Sequence, residues 1–317
     1  MKQSTDTNFM TSVLALTAEK YLPKLQENAF KYNAALVKLK EKNELGITRN
    51  GDAILIPLLL APGTGGKFYS DYDTFDISPT GGIVTAEAKI KQVAVPITVS
   101  GTELRINSGK EQIISLMTSK MMQADLTLKG IVGSAIYGDG TSDGGKSITG
   151  FGAMIEASAT PGAYLGVTNS DYWVNQYATG SSGQILSKMS ILDYATKDGA
   201  DSTDLILCDD KFAILYEAAN QSTSGIGVQY VDSTLADAGF KHIMYKGIPM
   251  VVDKNISASV GEALFLNTNY IGFLFEEPET TEFVMSQSQV NCKSAFLNVP
   301  TQLFTNNRRR QGKIVLA

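Results

Sequence analysis

The residue pattern with the most specific chemistry is a glycine-rich segment near the middle of the chain. Residues 140–147 read GTSDGGKS and match G-x-x-x-x-G-K-[ST], the phosphate-binding loop of many nucleotide hydrolases. Such a loop requires a strand before it and a helix after it, because the amides at the start of that helix face the phosphates. Here a long helical pattern precedes the loop, and Gly150 and Gly152 fall where the first helical turn should be. We therefore interpret the segment as a loop after a helix, with nucleotide hydrolysis as an alternative.

Other residues that could carry chemistry are sparse. Leu205–Asp209 reads as a buried strand ending in a carboxylate, which could serve as the magnesium-binding strand of a nucleotide hydrolase. The single histidine, His242, alternates with Phe240 and Met244 on a predicted strand and is better interpreted as a packed residue than as a general base. Four glutamates could bind a hard cation, although a solvated loop is the simpler interpretation: Glu276, Glu277, Glu279 and Glu282. We predict no catalytic, cofactor or metal site.

The composition limits the function further. The chain has 317 residues, of which 43% are hydrophobic and 19% charged, so it can bury the core of one large domain or two ordinary ones. Its formal charge of −5 excludes an overall positive potential that would bind nucleic acid tightly. Two cysteines, Cys208 and Cys292, predict buried thiols in a reducing cytoplasm rather than a disulfide framework. The longest apolar stretch, Ala53–Ala61, is about half the length of a membrane-spanning helix.

The N-terminal residues, up to about Gly46, are predicted to be helical. Pro23 suits a first helical position, and an apolar stripe follows it at spacings of three and four: Leu25, Ala29, Tyr32, Leu36 and Leu39. Two interpretations remain open, an amphipathic helix packed on its own core and an arm that lies across another subunit.

Residues 50–107 are predicted to be strand and to form a long hairpin. The apolar run Ile54–Leu60 leads into a polar, glycine-rich tip, and Ile83–Ser100 then has almost no strand breaker until Pro96. These roughly 18 residues would span about 60 Å, whereas a compact chain of this length has a radius of gyration of about 20 Å. We therefore expect the hairpin to leave its own domain; the alternative is two short strands with a bend near Gln92. One face of the long strand changes from polar to apolar along its length: Glu87, Lys89, Lys91, Val93, Val95, Ile97 and Val99.

A long helix is predicted next, over residues 108–138. Ser108 and Glu111 have the spacing of a capping box, and Gly138 ends the pattern. The apolar stripe of this helix recurs at spacings of three and four: Ile113, Met117, Met121, Ala124, Leu128, Ile131 and Ala135. Beyond Pro161, helices and strands alternate, with helices over 184–196 and 211–219, strands over 204–209, 240–245, 248–252, 264–266 and 271–275, and a strand-like segment from 284 onward. This order predicts an α+β or α/β layered fold.

The order of these elements, with several short motifs, resembles the major capsid proteins of tailed bacteriophages, whose fold was first described in phage Hong Kong ninety-seven. The motifs are AIYGDG at 135–140 with ITGF at 148–151, AGF at 238–240 with YKGIPMVVD at 245–253, FLN at 265–267 and NRRRQG at 307–312. Each motif is weak alone, but their order is specific and the resemblance covers nearly the whole chain. It also explains the phosphate-loop match as the junction between the long helix and the next domain.

The resemblance implies an α+β fold of the tailed-phage capsid type with four parts. Residues 1–46 would be the N-terminal arm, and 47–100 the extended β-hairpin loop with its long strand. Residues 101–154 and 284–317 would form the peripheral domain with the long spine helix. Residues 155–283 would form the axial α/β domain, which meets its copies at the fivefold and sixfold centres. Some family members carry a cleaved N-terminal scaffolding segment, so we expect either that it was removed here or that scaffolding is a separate protein.

The implied function is structural and involves no reaction. Copies of the chain would self-assemble into pentamers and hexamers that close into an icosahedral head shell around phage double-stranded DNA. The implied partners are further copies of itself, a scaffolding protein, a portal, decoration proteins, and DNA held without sequence specificity, with no membrane. The protein would reside in the virion after assembly in the bacterial host cytoplasm. The alternatives are an encapsulin-type compartment shell, which shares the fold and encloses a cargo enzyme, and a nucleotide hydrolase.

Candidate contacts between subunits lie in three places. The hairpin tip supplies Lys67, Phe68, Tyr69, Tyr72 and Phe75, whose four aromatic rings we expect to be buried on a neighbour. Lys67 could form a covalent link to a neighbour, as the resemblance to some family members implies, although no partner motif matches. The C-terminal run Arg308, Arg309 and Arg310 could form ion pairs between subunits, and Glu276 and Glu277 complete the set.

Overall fold

The computed structural model describes residues 12–13, 33–41, 48–61, 66–74, 81–106, 110–168, 172–199, 201–223, 242–256, 261–276, 279–281, 284–285 and 291–316. Several predicted features lie outside the described residues: Leu25, Ala29 and Tyr32 of the N-terminal stripe, and Ser108 of the capping box. Within the described part, Leu36 and Leu39 of the N-terminal stripe are buried, as their spacing predicts.

The elements follow the predicted order closely. The helices are α1 (Ala34–Glu41), α2 (Gly101–Ile106), α3 (Lys110–Ala135), α4 (Phe151–Met154), α5 (Ile185–Thr196) and α6 (Asp210–Thr223). The strands are β1 (Thr48–Asn50), β2 (Ala53–Leu59), β3 (Ile83–Lys89), β4 (Lys91–Ser100), β5 (Gln176–Gly180), β6 (Leu205–Cys208), β7 (His242–Tyr245), β8 (Ile248–Val252), β9 (Glu262–Leu266), β10 (Ile271–Phe275), β11 (Glu279–Thr280), β12 (Val284–Met285), β13 (Cys292–Thr305) and β14 (Gly312–Leu316).

The predicted hairpin forms a three-stranded antiparallel sheet in the order β1-β2-β3. Its register pairs Leu59 with Ile83, and the Leu60 amide then donates to the Gly82 carbonyl over 2.7 Å. Beyond this last bond the chain continues into the tip, of which residues 66–74 are described. The stem of the hairpin is therefore fixed by backbone pairing as far as Gly82.

The expectation of one continuous strand over Ile83–Ser100 is wrong, and the alternative of two strands with a bend is correct. The break falls at Ile90, two residues before the expected Gln92, and the Ile90 amide donates to the carbonyl of Asp52 over 2.8 Å. Before the break the buried residues have even numbers, and after it they have odd numbers: Ala86 and Ala88, then Val95, Ile97 and Val99. The buried face therefore changes at the break, where the chain passes from the hairpin sheet to the five-stranded sheet. The predicted change from a polar to an apolar face is confirmed.

A five-stranded sheet is built around β13. This strand pairs antiparallel with β4 from Cys292 opposite Ser100 to Thr301 opposite Lys91, and its other partners are β10, β11 and β12. Helix α3 packs along β4 and buries Met117, Met121, Ala124 and Leu128 of the predicted stripe. Ile131 is exposed, and Val132 occupies the next buried position because the helix repeats every 3.6 residues.

Helix α2 begins with a capping box that the sequence analysis missed. The Ser100 hydroxyl accepts a bond from the Glu103 amide (3.2 Å), and the Glu103 carboxylate accepts one from the Ser100 amide (3.0 Å). The bond from the Ser100 amide, more than any other contact, holds the pKa of Glu103 below its ordinary value. Lys120 of α3 lies 3.2 Å from the same carboxylate, so this cap also attaches α2 to the long helix.

A six-stranded mixed sheet, in the order β5-β14-β9-β6-β8-β7, separates two apolar cores. Helices α5 and α6 cover one face, where Ile206, Cys208 and Phe265 are buried. Leu205, Leu207 and Leu264 point to the other face and join the main core beneath α3. Strands buried on both faces have continuous apolar sequences, and this explains LILC in β6 and ALFL in β9.

The division of the chain at residues 283–284 stays a prediction, and one strand on each side of it joins the other large sheet. Strand β10 pairs with β13 in the five-stranded sheet. Strand β14 lies between β5 and β9 in the six-stranded sheet. The turn after β13 carries the chain from the five-stranded sheet to the position of β14.

Two leucines of α3 provide a matched test of this packing. Leu128 is 0% exposed and Leu126 is 68% exposed on the same helix. We expect Leu128→Ala to lower the free energy of unfolding by about 2–5 kcal/mol, because it leaves a cavity in the main core. Leu126→Ala should change it by no more than about 0.5 kcal/mol. Urea unfolding of dissociated subunits measures both, and equal effects would contradict the assigned face.

Candidate functional site

The segment that matches the phosphate-binding loop has the wrong surroundings for that function. It follows the end of α3 rather than a strand, and Ile148–Gly150 and the one-turn helix α4 come after it. Gly150 and Gly152 pack against the backbone at the end of α3, where the Phe151 amide donates to the Ile136 carbonyl over 2.7 Å. A Cβ on Gly150 would overlap that carbonyl oxygen, so the glycine is required for the close approach of two backbones.

The loop itself is a left-handed turn on the surface. Asp143, Gly144 and Gly145 all have positive φ, and Lys146 is exposed. The Gly145 carbonyl accepts a bond from Lys91 of β4 over 2.7 Å, which attaches the turn to the five-stranded sheet. The geometry agrees with the interpretation of a loop after a helix.

The strand proposed for magnesium does not present a metal ligand. Asp209 is buried and accepts bonds from the Phe212 amide (2.7 Å) and the Glu262 amide (3.1 Å). The carboxylate therefore caps α6 and holds β9 beside it. Among the described residues, no group of three or more histidine, cysteine, aspartate or glutamate side chains could hold a metal ion. In the same part of the chain no helix is long and apolar enough to cross a bilayer.

We expect Lys146→Ala to leave the protein essentially unchanged. The side chain is exposed on a surface turn, and such substitutions alter stability by no more than about 0.5 kcal/mol. Calorimetry with ATP should detect no binding by either the original protein or the variant, and assembly should be equal. Binding of ATP by the original protein that Lys146→Ala abolishes would restore the hydrolase alternative.

The hairpin tip, residues 66–74, presents aromatic side chains to solvent. Phe68 is 105% exposed, Tyr72 100% and Tyr69 72%, and Lys67 is exposed beside them. The tip has a local turn, because the Asp73 amide donates to the Ser70 carbonyl (2.9 Å) and the Ser70 amide donates to the Asp73 carboxylate (3.1 Å). Phe75 lies outside the described residues. The tip thus offers a preformed turn with a large, solvent-exposed apolar surface.

Arg308 is not a contact between subunits, and that expectation is corrected. Its side chain is 0% exposed and donates to the carbonyls of Met154 (2.7 Å), Gly162 (2.9 Å) and Ala153 (3.1 Å). The guanidinium also lies 5.4 Å from the centre of the Tyr164 ring. Two of these carbonyls belong to the last turn of α4, where a helix has unpaired acceptors. The Arg308 side chain therefore makes these contacts within its own subunit.

We expect Arg308→Ala to lower the free energy of unfolding by about 3–5 kcal/mol, because it leaves the buried Met154 carbonyl and two partly buried carbonyls without their donors. Arg309→Ala is the matched control, since the neighbouring side chain is exposed. That control should stay within about 0.5 kcal/mol. Thermal and urea unfolding of the two variants measure the difference, and a stable Arg308→Ala protein would contradict the assigned role.

The other two arginines border a groove. Arg310 pairs with Asp198 and also donates to the Thr196 carbonyl (3.4 Å), and this pairing holds the pKa of Asp198 below its ordinary value. Arg309 lies on the exposed side of the same turn. The groove encloses about 420 Å³, and its lining includes Lys197 and the end of β2.

Sequence reasoning missed this groove as a site. Its lining comes from Pro57–Leu60, Tyr172–Trp173, Ala195, Lys197–Asp198, Asn306–Asn307 and Arg309–Arg310, and only the fold brings these segments together. The run of arginines at 308–310 was the one sequence feature that indicated a contact surface in this region. Of the remaining candidates, Glu276 is half-buried, and Glu277 lies outside the described residues.

The end of α3 is joined to the six-stranded sheet by a buried hydrogen bond. The Tyr137 hydroxyl donates to the Asp253 carboxylate over 2.7 Å, and the same carboxylate accepts from the amide of Asn255 over 2.9 Å. Burial, followed by the charge of Asp253, raises the pKa of Tyr137 well above its ordinary value. The long helix and the sheet are thereby fixed to each other.

Comparison with known proteins identifies the fold. No protein-family model matches the chain, and no curated protein matches it in sequence. The capsid asymmetric unit of Cyanophage A-1(L) contains a chain of similar structure, with a TM-score of 0.64, 15% identity, and coverage of 89% of this chain and 92% of that one.

Two further capsids are similar over comparable lengths. The capsid of a native GTA particle gives a TM-score of 0.56 at 11% identity, covering 90% of this chain and 91% of that one. The capsid of Myoviridae phage XM1 gives 0.53 at 12% identity, covering 87% and 88%. At these identities the likeness concerns the fold. The chain has the fold of tailed-phage capsid proteins, and the α+β class implied by the resemblance is confirmed.

Proposed function

We propose that this protein is the major capsid protein of a tailed bacteriophage. Copies of it self-assemble into pentamers and hexamers, which close into an icosahedral head shell around double-stranded DNA. The observation that carries the proposal is the similarity to the Cyanophage A-1(L) capsid chain over 89% of this chain and 92% of that one. The likeness extends over most of both chains, and the projecting hairpin of this chain suits contact with a second copy.

The energetics of the hairpin tip support a shell function. Burying three aromatic side chains removes about 450–750 Å² from water. At about 25 cal/mol per Å², this corresponds to about 11–19 kcal/mol per subunit before the costs of association and ordering are subtracted. A tip that projects from one subunit and binds a different surface on the next makes a head-to-tail contact, and such contacts generate closed rings when the rotation permits.

The remaining assignments follow from a shell role. The net charge of −5 suits a shell that encloses its genome without gripping it, so contact with DNA is independent of sequence. A scaffolding protein, a portal and decoration proteins are the expected partners. The protein performs no reaction, assembles in the cytoplasm of the bacterial host and ends in the virion.

The direct test is imaging of the expressed protein by electron microscopy. Capsomer rings or closed shells support the proposal, and a monomer at all accessible concentrations contradicts it. The content of particles isolated from the native host separates the two shell functions. Nuclease-protected DNA supports a phage head, and an enclosed enzyme supports the compartment alternative.

A hairpin variant tests which segment closes the shell. Replacing residues 61–81 with Asn-Gly keeps the Leu60–Gly82 bond and gives the stem a two-residue turn. We expect a folded subunit that forms no closed shells, because the stem keeps its apolar residues while the contact surface is lost. Circular dichroism and particle imaging measure the two properties.

The matched control keeps the loop length and changes only three side chains: Phe68→Ser, Tyr69→Ser and Tyr72→Ser. Loss of shells in this variant as well assigns the contact to the aromatic rings. Normal shells from the shortened chain would refute the role of the tip. An unfolded subunit would mean that the segment belongs to its own core.

A further inference from the structure

The groove beside the hairpin stem has two chemically different walls. One wall is aliphatic and comes from Pro57 and Leu59 on the outward face of β2, with Leu59 largely exposed. The opposite wall is cationic, with Lys197, Arg309 and Arg310 facing a single carboxylate, Asp198. Because Asp198 is paired with Arg310, the groove as a whole carries positive charge.

The hairpin tip has the complementary chemistry. Between Phe68 and Asp73 it alternates exposed rings with two exposed carboxylates, Asp71 and Asp73. The turn closed by Ser70 and Asp73 holds this segment in one local shape, which reduces the entropy lost when it binds. An aliphatic wall suits the rings, and a cationic wall suits the carboxylates.

The tip does not occupy the groove of its own subunit. The groove is lined by the last residues of β2, and the tip projects beyond that end of the strand. Phe68 and Tyr72 are completely exposed, and the groove lining contains none of residues 66–74. Binding of a tip in this groove therefore requires a second copy.

We propose that the groove formed by Pro57, Leu59, Lys197 and Arg309 receives the hairpin tip of the neighbouring copy. Asp71 and Asp73 of that tip lie against the cationic wall, and its aromatic rings lie against the aliphatic wall. The inference rests on the proposed shell function and specifies the acceptor surface. Donor and acceptor are different parts of the subunit, so each copy gives its tip to one neighbour and receives the tip of another.

Charge reversal tests the pairing. One variant carries Asp71→Lys in the tip, a second carries Lys197→Glu and Arg309→Glu in the groove, and a third carries all three changes. Asp73 is kept, because its carboxylate closes the turn of the tip. We expect each of the first two variants to lower the assembled fraction by at least about tenfold, because like charges then face each other. The combined variant should recover most of the loss, because attraction is restored with the signs exchanged.

A matched control separates local pairing from net charge. Lys146→Glu with Lys254→Glu makes the same change in net charge at two exposed residues outside the groove, and it should assemble as the original protein does. Failure of this control to assemble, or failure of the combined variant to recover, would overturn the proposal.

A cysteine pair provides the second measurement and does not depend on the stability of the variants. The protein carrying Asp71→Cys and Arg309→Cys should form a ladder of disulfide-linked oligomers on a non-reducing gel when assembled particles are oxidised. Each single variant is a control for Cys208 and Cys292 and should form no ladder. Shells without a ladder would overturn the groove assignment while leaving the shell function in place. Absence of any assembly by the original protein would overturn both.

Discussion

The structure depends on the antiparallel pairing of β4 with β13. Ten residues on each side, 91–100 and 292–301, are held together although residues 101–291 lie between them in sequence. Helix α3 packs on β4, and β10 pairs with β13, so the largest core cannot form without this ladder. The hairpin stem leads directly into β4, and its direction is therefore also set by the pairing.

Arg308 fixes the connection between the five-stranded and the six-stranded sheet through its hydrogen bonds. It follows the end of β13 and precedes β14, at the point where the chain leaves the five-stranded sheet. Its three bonds to carbonyls of residues 153–162 fix the segment after the phosphate-loop match at the same place. A fully buried guanidinium is costly to desolvate, and it is tolerated because these carbonyls and the Tyr164 ring surround it. One side chain thus positions three separate parts of the chain, including the arginine that borders the groove.

Most elements could be predicted from the sequence because their signals are local. The helix over 185–196, the strand ending at Asp209 and the hairpin turning at Lys246–Gly247 all have clear spacing or turn residues. A bend near Gln92 was predicted only as the alternative to one continuous strand, because no residue type marks the break at Ile90, where the chain changes sheet partner. The capping box at Ser100 was available as S-x-x-E and was missed.

The candidate site was harder to predict than the fold. Three consecutive arginines look alike in a sequence, yet one is fully buried and its two neighbours border a groove, because the turn rotates each side chain in a different direction. The exposed aromatics of the tip were predictable from a polar, glycine-rich segment with no room for a core of its own. Their acceptor was not, since its lining residues are more than a hundred positions apart.

The position of β14 has a consequence for the timing of synthesis. Its five residues lie inside the six-stranded sheet, between β5 and β9, rather than at an edge. While residues 312–316 are still within the ribosome, β5 has no partner and β9 lacks one of its two neighbours. The α/β half of a nascent subunit is therefore unfinished when its hairpin has long since emerged. Packing that requires the complete six-stranded sheet is therefore impossible until residues 312–316 are available.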